Sequence, residues 1–81
     1  MKRSYLDMAL DVLDVLSENG ATGPTHIHYK ANLEWHNWVR IRDGLSAKGL
    51  ILKTNDGKCW ALTDQGLGLA LSWRRIKRCL R

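Results

Sequence analysis

Cysteine is scarce in this chain. The two present, Cys59 and Cys79, are too few for a secreted disulfide scaffold and lack the Cys-x-x-Cys spacing of a zinc or redox site, so both are expected as reduced packing thiols. Long apolar runs are missing as well. No stretch approaches the ~20 residues needed to span a bilayer. Asp7, Asp11 and Asp14 interrupt the apolar pattern that follows Met1-Lys2-Arg3, so no signal peptide is expected there and the protein is expected in the cytoplasm. Proline occurs once, at Pro24, within the break "ATGPT". There is no phosphate-cradling glycine loop, no nucleophile-base-orienter set and no pair of carboxylates spaced for acid-base work. An enzyme is therefore not expected, and nothing points to a cofactor or a small-molecule ligand.

What remains is a basic chain of 81 residues with a formal net charge of +5 and a hydrophobic fraction of 44%, which argues against disorder. It reads as one domain over residues 1–81, near the lower end of what buries a sufficient core alone, so a partner chain would help it. The charge is segregated. Residues 1–19 carry two basic and four acidic side chains, whereas the rest carries eleven basic and four acidic ones. Such asymmetry suits a polyanion, and in a soluble protein the first candidate is nucleic acid.

Ser4 with Asp7 resembles a capping box, and Leu6, Ala9, Leu10, Leu13 and Leu16 recur at helical spacing until Gly20. The acids at 7, 11, 14 and 18 are expected as a solvated stripe. After Pro24, Thr25 can cap a short helix over residues 26–31. His26 and His28, two apart on that helix, diverge, so a metal site would need a further ligand such as His36 or Cys59, and none is assigned. A third helix over about 34–48 places Trp38, Ile41 and Leu45 on one apolar stripe with Trp35 at its edge, and presents His36 and Arg40 opposite, flanked by Asn37. This helix runs through Gly44 at a cost of about 1 kcal/mol relative to alanine. Arg42 falls near the core side, where it either snorkels or meets a carboxylate.

"LILKTNDGKCWAL" reads as a hairpin. Asp56-Gly57 suits the centre of a type I′ turn, which pairs Ile51 with Leu62 and Lys53 with Trp60 and lays Lys53 over the indole. Thr63 then caps a last helix to about Arg81. Leu67 and Leu71 can pack on the domain, while Leu69, Trp73, Ile76 and Leu80 have the spacing of a dimerisation seam.

The resulting class is mainly α with a small β-hairpin (α+β), in the element order of a winged helix-turn-helix with an additional C-terminal helix over 63–81. Two segments sharpen this. "IHYKANLEWHNWVRIRDGLSAKGLI" resembles the archaeal winged-helix DNA-binding family with its Tyr-x-Ala-Asn-Leu segment, here Tyr29, Ala31, Asn32 and Leu33, and its Lys-Gly-Leu-Ile exit, here Lys48 to Ile51. "WALTDQG" is similar to the Leu-Thr-x-x-Gly closure of many winged-helix regulators, carried by Leu62, Thr63 and Gly66. Glu34 stands where a serine cap is usual in that family, and His28 and Arg42 where apolar residues are usual.

The resemblance implies a DNA-binding regulator, dimeric through its C-terminal helix and associated with the nucleoid. By position, His36, Asn37 and Arg40 would face double-stranded DNA in the major groove, with Trp35 covering a sugar or a thymine methyl. Arginine suits guanine and asparagine suits adenine, each pair contributing ~1–3 kcal/mol of discrimination. Lys30, Lys53 and Lys58 suit phosphates. A weakly specific architectural protein and a winged helix that binds protein instead are the alternatives.

Overall fold

The computed structural model describes residues 3–80. In chain order it has α1 (Tyr5–Asn19), α2 (Pro24–Lys30), α3 (Trp35–Ala47), β1 (Ile51–Lys53), β2 (Trp60–Leu62) and α4 (Asp64–Cys79). Arg81, the expected end of the last helix, lies outside the described residues, as do Met1 and Lys2.

The capping box forms as the sequence implies: the Asp7 N–H donates to Ser4 Oγ at 3.1 Å and the Ser4 N–H to the Asp7 carboxylate at 3.3 Å. This satisfies two donors that a helix start would otherwise leave orphaned. Gly20, at φ 72°, stops the helix. Between these ends α1 buries Met8, Val12 and Val15 in addition to Ala9, Leu10, Leu13 and Leu16, because α2, α3, α4 and β2 all pack against it. Leu6, expected on the apolar stripe, is 64% exposed in the first turn.

Helix α2 starts earlier than its sequence suggests. Pro24 occupies the first turn and Gly23, not Thr25, is the N-cap. Proline has no N–H to orphan there and its φ is already helical. The turn into α3 puts Asn32 at φ 55°, the one positive φ outside glycine among the described residues. Arg3 fastens this corner. Its guanidinium pairs with Asp11 at 2.7 Å and donates to the carbonyls of Ala31, at 2.8 Å, and Asn32.

Helix α3 continues through Gly44 and ends in a Schellman motif, with Gly49 at φ 72°, its N–H on Ser46 O at 3.0 Å and that of Leu50 on Leu45 O at 3.0 Å. Trp38 and Ile41 are wholly buried, and Leu45 nearly so. The Trp38 indole meets that of Trp60 edge-on, with centroids 6.4 Å apart.

The hairpin register is the expected one: Ile51 opposite Leu62 and Lys53 opposite Trp60. Its turn is not. Gly57 has φ 72° but Asp56 does not enter positive φ, so the turn is not type I′. Instead Thr54 N–H reaches across to Cys59 O at 2.9 Å, and the Asp56 carboxylate accepts from Thr54 Oγ1 at 2.5 Å and Lys58 N–H at 3.0 Å. That side-chain bridge organises a longer loop without a second positive φ. Thr22 adds a strand-like bridge to Trp60, with both N–H···O contacts at 2.9 Å.

Thr63 caps α4 as expected, accepting from Gly66 N–H at 3.1 Å, and its hydroxyl donates to Gly49 O at 2.6 Å. The rotation of α4 differs from the expectation. A Cβ on Gly66 would lie 1.9 Å from the Leu50 carbonyl oxygen, so the helix closely approaches the backbone that leads from α3 into β1. This contact turns Gly66, Ala70 and Trp73 inward and leaves Leu67 and Leu71, expected to pack on the domain, 43% and 48% exposed. The same crossing brings Lys77 Nζ to Asp14 at 2.9 Å and Arg74 Nη2 to Glu18 at 2.6 Å. The acids of α1 are thus largely paired, with Asp11 held by Arg3, rather than forming a solvated stripe. Cys59 is half-buried, but Cys79 is exposed and takes no part in packing.

Candidate nucleic-acid interface

Trp38, Ile41 and Leu45 lock one side of α3 into the core, and the other side is thereby presented at a fixed angle. On it, His36 and Arg40 are exposed and Asn37 is half-buried. With Arg3, Met8, Asn32 and Glu34 these three line one open hollow of about 560 Å³. Its polar groups are mixed donors and acceptors with a cationic excess. His36 Nδ1 lies 3.4 Å from Glu34 Oε2, both groups well exposed. Arg40 rests over the ring of Tyr5, 5.5 Å from guanidinium carbon to centroid.

Trp35 stands apart from this hollow. It is 49% exposed, and its ring meets His28 edge-on at 5.2 Å, while His28 also packs on Tyr29 at 4.4 Å. His28 Nδ1 bonds Leu33 O at 3.1 Å, so this histidine ties the helix-turn-helix corner together. Among the described residues no three His, Cys, Asp or Glu side chains gather as a metal group.

Lys30 lies at the end of α2 in a shallower surface with Thr25, His26 and Tyr29. In the hairpin, Lys53 lies over the Trp60 ring at 5.5 Å, as its sequence position implies. Lys58 is exposed at the tip beside Asp56, whose carboxyl the Thr54 hydroxyl, and then the Lys58 N–H, hold below its usual value of 3.8. Arg42 meets a carboxylate, that of its neighbour Asp43, at 3.0 Å. Of the four residues expected to dimerise the chain, Leu69, Ile76 and Leu80 are exposed, whereas Trp73 is half-buried against the core with its indole nitrogen enclosed.

Two members of this surface escape a reading of the sequence. Arg3 and Tyr5 lie far from α3 along the chain, and only folding brings them under it. Tyr29 was legible, since Ile27 and Ala31 face inward and a residue between them on a helix must face out.

The chain runs as a helix, a short helix, a tight turn, an outward-presented helix and a two-stranded wing, and a family model of the winged helix-turn-helix matches residues 2–81. The chain belongs to the winged helix-turn-helix family. The fold is shared with transcription regulators. A solved structure of a MarR family transcriptional regulator from Silicibacter pomeroyi superposes with a TM-score of 0.82 at 28% identity, over 90% of this chain and 54% of that one. A MarR family regulator from Neisseria meningitidis shares the fold, with a TM-score of 0.73 at 22% identity over 88% of this chain and 54% of that one. An uncharacterized protein of Methanocaldococcus jannaschii is 34% identical over 80% of this winged-helix chain and 64% of its own length. The chain thus spans less than two thirds of each of these relatives. Among the described residues no helix is long and apolar enough to cross a membrane.

Proposed function

We propose that this winged-helix protein is a transcription regulator that binds double-stranded DNA, with α3 in the major groove and the β1–β2 wing along the backbone, as a homodimer joined through α4. The observation that carries this reading is the two-sided character of α3. Trp38, Ile41 and Leu45 are buried on one side, while His36, Asn37 and Arg40 line an open hollow on the other. Arg40 supplies the fork that matches guanine O6 and N7, Asn37 the amide that matches adenine, and His36 a further donor or acceptor. Trp35 extends the contact to a sugar or thymine methyl. Lys30, Lys53 and Lys58 serve phosphates, which position the domain without reading sequence. In a dimer the two copies of α3 would address half-sites about 34 Å apart.

Three base-reading side chains and a nearby Glu34 carboxylate also suit a sparsely specific architectural protein acting on the nucleoid, which is the second reading. One experiment separates them. Selection from a random duplex library, at low and at moderate salt, is expected to return an enriched sequence, with affinity falling steeply as salt rises. Arg40→Ala should relax preference at one base position, costing about 1–3 kcal/mol there. Equal weakening on all duplexes would favour the architectural role, and salt-insensitive binding or none would favour a protein partner.

A further inference from the structure

Gly44 sits in the interior of α3, where a glycine is unfavourable, and the structure shows what occupies the space its missing side chain leaves. A Cβ built there would lie 1.9 Å from Tyr5 Oη and 3.2 Å from Tyr5 Cζ. Tyr5 opens α1, directly after the Ser4 cap, and its ring lies beneath the Arg40 guanidinium at 5.5 Å, one turn before Gly44 on the same helix. The neighbouring Arg3 is tied to Asp11 and to the carbonyls that end α2, and it lines the same hollow as Arg40. The segment around Tyr5 is therefore fastened by Arg3 before it and by the Ser4–Asp7 capping box across it, and its ring is seated on α3 at the only residue type that admits it so closely.

We infer that Tyr5 is a specificity-determining positioning residue: seated on Gly44, it holds the Arg40 guanidinium in the orientation from which it reads a base. This rests on the reading of α3 as a DNA-contacting helix. A long arginine side chain loses rotamer freedom on binding, and a ring that restrains it beforehand lowers that cost. The ring face attracts the cation electrostatically while leaving the guanidinium N–H donors at its edge available for a base. The hydroxyl is not needed for this. It is the group that Gly44 makes room for.

The test uses the duplex that the full-length protein selects from a random library, together with a scrambled duplex of equal length. Tyr5→Leu should lower the preference for the selected duplex about two- to fivefold, at the base positions affected by Arg40→Ala, and should change nothing further in an Arg40→Ala background. Tyr5→Phe should keep the preference. Gly44→Ala should lose it to the same extent as Tyr5→Leu while remaining folded by circular dichroism, because the added methyl displaces the ring. Combining Gly44→Ala with Tyr5→Phe should restore most of it, since the severe conflict with Oη is removed and the remaining contact with Cζ, at 3.2 Å, needs only a shift of the ring by a few tenths of an ångström. A merely structural tyrosine would not give this cross-rescue of base preference. The inference is overturned if Tyr5→Leu weakens the Arg40→Ala protein as much as the parent, or if the double variant is not rescued. A parent protein whose preference depends on Arg40 but not on Tyr5 removes this inference alone, whereas a parent with no base preference removes the DNA-reading role with it.

Discussion

Gly66 and Gly68 are two residues apart on α4, yet the structure assigns them opposite sensitivities. At Gly66 an added Cβ meets backbone, the Leu50 carbonyl oxygen at 1.9 Å, which has no flexible end to yield; at Gly68 nothing lies within 4 Å. Gly66→Ala is expected to destabilise the fold by about 1–3 kcal/mol through overpacking, and Gly68→Ala to stabilise it by up to about 1 kcal/mol through helix propensity. Urea denaturation midpoints at unchanged slope check both. The sequence placed Gly66 correctly within a closure motif, but it did not distinguish the two glycines, because the distinction depends on a carbonyl contributed by another element. Trp73 is a similar case. Its spacing assigned it to a seam, while the rotation set at Gly66 half-buries it.

Among the elements, the α1 cap, the α3 exit and the strand register matched expectation, whereas the α2 cap, the wing turn and the rotation of α4 did not. The Ser4 cap, the Gly49 exit and the Ile51–Leu62 register are readable because each is decided within a few residues of chain. Helix α4 shifted because its inward face is chosen by what it packs on, and two leucines exposed on it look the same in sequence as two leucines buried. The wing turn departed from type I′ because Thr54 and Lys58 recruit the Asp56 carboxylate, an arrangement that alternation of apolar residues does not reveal. That carboxylate carries a pH expectation. Its pKa in the fold lies below the usual 3.8, so its contribution is complete above that value and is lost as pH falls through the lower, folded value. Hydrogen exchange at the Lys58 amide, which donates to that carboxylate, should hold steady from neutral pH down to about pH 4 and quicken, beyond the chemical rate change, below it. Asp56→Asn should abolish that dependence.

At the scale of the whole molecule, the apolar residues left outside on α4 bear on assembly. Leu69, Ile76 and Leu80 are exposed on one flank, while Trp73 belongs to the core, so the seam should be tested without touching the tryptophan. Sedimentation of the parent protein is expected to show a dimer. Leu69→Asp with Ile76→Asp is expected to give a folded monomer whose duplex affinity is weaker and whose salt dependence is shallower, since fewer phosphates are contacted per particle. A monomeric parent at high concentration would remove the homodimer from the proposal. Charge also looks different at this scale: Arg74 and Lys77, counted with the basic surplus, are spent on Asp14 and Glu18. The positive side chains left to meet a polyanion include Arg40 on α3, Lys30 on α2 and Lys53 and Lys58 on the wing.

The sequence by itself determined the order of the elements, the caps of α1 and α4, the hairpin register and the division of α3 into an anchored and a presented side, because each follows from periodicity or from hydrogen bonds closed within a few residues. Only the tertiary structure decided which face of α4 turns inward, which charges cancel, and that Tyr5 lies between Gly44 and Arg40. Those outcomes depend on contacts between segments distant in the chain, where steric fit at a single carbonyl or a single missing Cβ selects among rotations that the amphipathic pattern leaves equal.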